Sequence, residues 1–222
     1  MALKEEKQVQ VITDENKHKV ISVIGIGGND VMYFLVKAAI SASKKMLYVD
    51  NTEDGAVFEL NRKDDTDGCI CMDNVSIVRN MAYEEAVYKA FDYVVINHGM
   101  QVDKEILEAS NELFVITDYD RFHLAKIATV LKKAEIGKAS VIFCDKQNEM
   151  ITEGYICSYF GISSLQEYIL EYAEANHAIY ISLTHGKKAL FSKYEKGFKE
   201  GALALYANVL DIAMKNAKRL LK

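Results

Sequence analysis

The chain has 222 residues, half of them apolar, which suffices for one substantial core and is short for two. Its formal net charge of -5 offers no general attraction to phosphodiester backbones, and no local basic patch stands out, so direct nucleic-acid contact is not expected. The start, MALKEEKQVQ, has no long apolar run behind its charges, and no stretch approaches the roughly 18 apolar residues of a membrane span. The expectation is a cytoplasmic protein.

The four cysteines, Cys69, Cys71, Cys144 and Cys157, are too scattered for a disulfide framework. Cys69 and Cys71 form a C-x-C without a second pair or a nearby histidine couple, so they read as ordinary strand residues and no metal site is expected. Proline is absent, where average usage of roughly 5% predicts about ten. Every turn must therefore rely on Gly, Asn, Asp and Ser.

Residues 1–18 read as a tail or an edge strand, and 19–222 as one continuous α/β domain without repeats or linkers. An apolar run from Val20 to Ile24 leads into a Gly-rich turn and a helix-periodic segment from Val31 to Ala42. Strand-like runs follow at Lys45 to Asp50 and Val75 to Val78, then a helical segment from Tyr83 to Ala90. The runs Tyr93 to Ile96, Leu113 to Thr117 and Val141 to Cys144 are short, unbroken and rich in β-branched residues, as in strands buried on both faces. Strands alternating with helices predict a doubly wound, mostly parallel sheet. Ligands of such sheets bind at the carboxyl ends of the strands, so candidate site residues are sought there.

After the first strand, Gly25, Ile26, Gly27, Gly28, Asn29, Asp30, Val31 and Met32 form a Gly-rich turn opening a helix, a geometry that favours anions. Against the phosphate-binding pattern G-x-x-x-x-G-K-[ST], Gly25 matches, but Asp30, Val31 and Met32 stand at the second glycine, the lysine and the hydroxyl residue. A unit charge pair near 4 Å is worth about 4 kcal/mol at an effective dielectric of 20. Valine forfeits that attraction, and Asp30 adds repulsion. Asn29 or Asp30 is instead placed to cap the helix and fill the anion site with its own side chain. A partial dinucleotide fingerprint also begins at Gly25-x-Gly27 with Asp50 downstream, but Asp30 replaces its third glycine.

The same segment, VISVIGIGGNDVMYFLVKAA, resembles the deviant phosphate loop of the ParA/MinD ATPases, where two adjacent glycines follow a signature lysine. Gly27 and Gly28 fall on that pair and Ile26 on the lysine. The resemblance continues in order along the chain. Asp50, in LYVDNTEDG, falls where the family's aspartate faces the catalytic water, though an aspartate ending a strand also caps the next turn. Asn97, in FDYVVINHG, replaces the aspartate that contacts the magnesium shell, and an amide is a poorer partner for a hard dication. His98 follows it in the expected crevice. Thr117 ends the next strand, in LFVITDYDRFHLAKIATVL, and Asp145, in VIFCDKQNE, stands where the family places an adenine-recognising asparagine. Ser182-Leu183-Thr184 lies where the family often has Leu-Pro. The match spans Lys19 to Asp211.

The resemblance implies a P-loop NTPase-like domain whose ATPase residues are replaced. No cofactor is expected, with ATP and magnesium bound weakly at most. The implied role is a positioning, scaffold or regulatory protein with protein partners, a possible homodimer, similar to the TadZ-like localisation factors of pilus assembly. Alternatives are a weak ATP-binding protein with residual activity and an NAD-type module. The amphipathic C-terminal LYANVLDIAMKNAKRLLK is a candidate membrane contact, yet its pattern runs on from the closing helix, which favours ordinary packing.

Overall fold

The computed structural model describes residues 18–62, 68–147 and 150–221, so nearly all of the expected tail lies outside the described residues. In chain order the elements are β1 (Lys19–Gly25), α1 (Asn29–Ser41), β2 (Met46–Asp50), α2 (Ala56–Asn61), β3 (Cys69–Met72) and β4 (Val75–Arg79). Then come α3 (Glu85–Tyr88), β5 (Tyr93–Gly99), α4 (Lys104–Ala109), β6 (Glu112–Thr117), α5 (Arg121–Lys133) and β7 (Lys138–Lys146). The chain closes with α6 (Glu153–Phe160), β8 (Ser163–Glu171), α7 (Glu174–Thr184), α8 (Lys196–Val209) and α9 (Met214–Leu220). The strands form one eight-stranded sheet in the order β3-β4-β2-β5-β1-β6-β7-β8. Every pairing is parallel except that of β3 with β4.

The central strands are buried on both faces, which is why their sequences are unbroken apolar runs rather than alternating ones. One face packs α1, α2 and α8 against Ile21, Val23, Tyr48, Val95 and Phe114. The other packs α5 and α6 against Val115, Val141 and Phe143, with Tyr88 of α3 and Ile106 of α4 covering Val20, Val49 and Val94. The loop after β1 thus feeds a helix on one face while its neighbours β5 and β6 feed helices on the other. That reversal opens a crevice at the carboxyl end of β1.

Two expectations need adjusting. The helix read over Tyr83 to Ala90 shrinks to α3, Glu85–Tyr88, although Tyr83, Val87 and Tyr88 all reach the apolar layer. The C-terminal pattern does not run on as one helix: α8 stops at Val209, Asp211 adopts φ 50, and α9 begins at Met214. Ser182-Leu183-Thr184, aligned with the family's Leu-Pro position, lies in the last turn of α7. Within α9, Ala217 is buried and Leu220 and Leu221 pack on the main core, so its apolar side is used internally. Among the described residues no helix is long and apolar enough to cross a membrane.

Candidate functional site

Gly25 ends β1 with φ 138, and a side chain there would strike the Ile116 carbonyl oxygen, 1.8 Å from an added Cβ. The Ile26 amide donates to that same carbonyl at 3.1 Å, so the turn is stitched to β6 before it bends. Gly28 is the N-cap of α1, left-handed at φ 66, and an added Cβ would lie 2.2 Å from Ile116 Cδ1. The helix therefore starts at Asn29, and neither Asn29 nor Asp30 is its N-cap as the sequence suggested. Glycine wins that position because the turn needs a positive φ pressed against β6. Asn29 Nδ2 instead donates to Tyr180 Oη at 3.4 Å. Asp30 Oδ1 accepts from the Val31 amide at 2.9 Å, occupying one donor of the first turn.

Asp30 keeps some surface as a residue, but its carboxyl is enclosed, and burial pushes its pKa up from 3.8 to about 6 against the opposing Val31 hydrogen bond. The neighbouring Tyr194 hydroxyl lies outside hydrogen-bonding geometry and acts only as a polar neighbour. Val31 and Met32 are each 1% exposed and belong to the main core, with the Val31 carbonyl accepting from Tyr206 Oη at 2.7 Å.

The crevice is a cleft of about 860 Å³ lined by Gly25, Ile26, Gly27, Asn29, Thr52, Asn97 and Lys126, with Glu53 and Asp54 at its rim. A trough of about 870 Å³ adjoins it through Met100, Gln101 and Val130, but holds none of the residues singled out from the sequence. Lys126, on the exposed side of α5, carried no sequence signal; only the packing of α5 brings it to the cleft. Thr52 was missed too: its hydroxyl donates to Asp50 Oδ1 at 2.5 Å.

Asp50 is fully buried, and its other oxygen accepts from the Phe58 amide at 2.9 Å, so it caps α2 from the end of β2. Asn97 lines the cleft, but its Oδ1 accepts from the Gly99 amide at 3.2 Å. His98 lies not in the crevice but wholly inside, with Nε2 2.9 Å from Ser22 Oγ. Ser22 Oγ meets Ser110 Oγ at 2.8 Å, and Ser110 donates to the Ile106 carbonyl at 2.7 Å. Ser22 must then donate to Ser110, so His98 donates through Nε2–H. Burial draws its pKa down from 6.5 to about 4. Thr117 is buried, donating to the Asp118 carbonyl at 2.9 Å.

Asp145 adopts φ 57 and lines a separate hollow of about 370 Å³ together with Asp118 and Asp120. Burial and the Asp118 charge both push its carboxyl upward. Asp118 Oδ2 lies 2.7 Å from His123 Nδ1, and Asp120 caps α5 through the Phe122 and His123 amides.

No family profile matches the sequence, and none of the curated proteins matches it. Solved structures do. A ParA family ATPase from Chlorobium tepidum TLS is 16% identical over 85% of this chain and 98% of its own, with a TM-score of 0.62. The MinC:MinD cell division complex of Aquifex aeolicus is 11% identical over 91% and 95%, with a TM-score of 0.60. A pNOB8 ParA bound to nonspecific DNA is 11% identical over 91% and 98%, with a TM-score of 0.56. The chain has a ParA/MinD-type fold.

In a ParA/MinD-type fold the implied ligand is a nucleotide with magnesium, and the residues present do not fit it. The positions of the loop lysine and hydroxyl residue, Val31 and Met32, point into the core. Asp30 sits in the first turn, the Asn97 oxygen is taken by Gly99, and Asp118 and Asp145 gather in a separate hollow. The backbone frame of Gly25, Gly27 and Gly28 remains, without a cation in the turn itself.

Proposed function

We propose that this chain is a ParA/MinD-type scaffold that works without nucleotide chemistry, positioning or regulating protein partners, and that it self-associates. The burial of Val31 and Met32 carries this reading: both positions that contact phosphate in active relatives serve the core here. A localisation role in pilus assembly is one form it can take. Titration calorimetry with ATP, ADP and NAD, with and without magnesium, tests it. No heat from any of them is expected, and submicromolar, magnesium-dependent ATP binding would defeat the proposal. Sedimentation across a concentration series tests the dimer.

A second reading, weak residual ATP binding, draws on Lys126, which lines the cleft and supplies a cation the loop lacks. Removing that amine by Lys126→Ala would abolish such binding. Because one solved structure of this fold is a complex with nonspecific DNA, the fold does not favour the expectation that nucleic acid is excluded. The titration therefore includes a duplex.

A further inference from the structure

On the face of α1 and α2 a pocket of about 510 Å³, which meets the crevice at Asp54, opens between Tyr33, Asn61, Tyr180, Leu183, Lys187 and Lys188. Its volume falls in the range of small-ligand sites, roughly 300–1,000 Å³. Asn61 is 4% exposed, and its side chain is half satisfied: Nδ2 donates to the Val57 carbonyl at 2.8 Å, while Oδ1, itself sealed from solvent, has no hydrogen-bond partner among the described residues. A buried acceptor left open costs about 1–3 kcal/mol, so a ligand whose N–H or O–H meets Oδ1 as the side chain turns toward the pocket gains there. The acids at the rim are engaged. Asp54 accepts from the Ala56 amide at 3.3 Å, and Glu59 lies 3.5 Å from Arg62 and 3.6 Å from Arg79. Lys187 and Lys188 have no carboxylate in ion-pair range among the described residues. Two adjacent ammonium groups suit a dianion better than a single carboxylate. Tyr33 and Tyr180, both half-buried, also line it, and since Lys37 Nζ stands 4.8 Å over the Tyr33 ring, Tyr180 is the wall for a ligand ring.

We propose that this pocket binds a small phosphate monoester that also carries a hydrogen-bond donor, its phosphate on Lys187 and Lys188 and its donor on Asn61 Oδ1. Sugar phosphates and mononucleotides share that chemistry. The proposal stands independently of the scaffold reading, because ATP held on Gly27 and Gly28 would sink that reading and leave this pocket untouched.

The test is an NMR titration of the full chain at physiological salt with ribose 5-phosphate, AMP and inorganic phosphate, following the Asn61 side-chain amide and the Lys187 and Lys188 backbone amides. Magnesium-independent shifts confined to these residues are expected with the two esters, and whichever binds more tightly identifies the source. The exposed double variant Lys187→Ala, Lys188→Ala should weaken binding by more than about tenfold. Asn61→Leu, which keeps the bulk but removes the acceptor, should also weaken binding of the esters. The proposal is overturned if neither ester moves these signals at millimolar concentration. It also fails if the lysine variant binds as well as the parent, or if inorganic phosphate binds as tightly as the esters.

Discussion

Asp30 Oδ1 accepts the Val31 amide hydrogen at 2.9 Å inside the first turn of α1, so the chain places its own carboxylate where an anion would seek a donor. That carboxylate is costly to keep charged, because its pKa rises from 3.8 to about 6 on folding. A raised acid pKa means that its penalty is absent below about 4 and complete above about 6. At one pKa unit per 1.36 kcal/mol the penalty is on the order of 3 kcal/mol. Asp30→Asn keeps the acceptor and removes the charge. We expect it to stabilise the protein at pH 8 by about 1–3 kcal/mol, measured by urea unfolding.

His98 runs the opposite way in the same window. Its pKa falls from 6.5 to about 4, so the stability it permits is complete above 6.5 and is lost as pH drops toward 4. The two residues therefore oppose each other between pH 4 and 6.5, and the parent's stability should change little there on their account. In Asp30→Asn only the histidine remains. That variant should lose about 3 kcal/mol more than the parent between pH 6.5 and 4, read from paired urea curves.

Ser22 is the acceptor that fixes the His98 tautomer. Ser22→Ala should cost about 1–3 kcal/mol by stranding the imidazole N–H. Nitrogen chemical shifts of the ring should show Nε2 protonated in the parent at neutral pH, and an unprotonated Nε2 there would refute the assigned chain of hydrogen bonds.

Asp50→Ala should destabilise by about 2–4 kcal/mol, since its loss leaves the Phe58 amide and the Thr52 hydroxyl without their partner. Hydrogen exchange should localise the change to α2. An effect confined to ligand binding, with α2 protected as in the parent, would contradict the capping role.

Restoring the phosphate loop is not a matter of three letters. Val31→Lys pushes an ammonium into a position 1% exposed, and should cost more than about 3 kcal/mol in thermal or urea unfolding. The combined Asp30→Gly, Val31→Lys, Met32→Thr variant is expected to be less stable than the parent. Tight magnesium-dependent ATP binding by a stable triple variant would show that the loop is merely degenerate.

Much of the sheet was legible because buried parallel strands announce themselves as short runs of β-branched and aromatic residues. Val20 to Ile24, Leu113 to Thr117 and Val75 to Val78 all fall inside strands β1, β6 and β4. Cys69 and Cys71, read as plain strand residues, lie on β3 with their sulfurs 3.6 Å apart. Elements with mixed exposure were harder. The helix α7 buries only Asn176 and Leu183, so its periodicity was faint, and the break after α8 depends on a left-handed Asp211 that no pattern marks.

The site divides along the same line. Gly25 and Gly27 could be placed at the crevice from order alone, because a strand, a glycine turn and a helix leave few geometries. His98 could not, since the two neutral positions Asn97 and His98 look alike in sequence, and strand alternation sends one toward the cleft and the other into the interior.

Local chemistry in the chain was enough to determine the alternating strands and helices, the glycine turn after β1 and the absence of a lysine from it. Whether that turn holds an acid, a ligand or nothing was decided by contacts between distant segments. Tyr206 reaches the Val31 carbonyl across 175 positions, and Ile116 presses on Gly28 from β6. Burial, and with it the charge state of Asp30 and His98, is a property of the packed layers rather than of any stretch of residues. The reason is physical: the energy of a charge depends on what surrounds it, and its surroundings exist only once the sheet has closed.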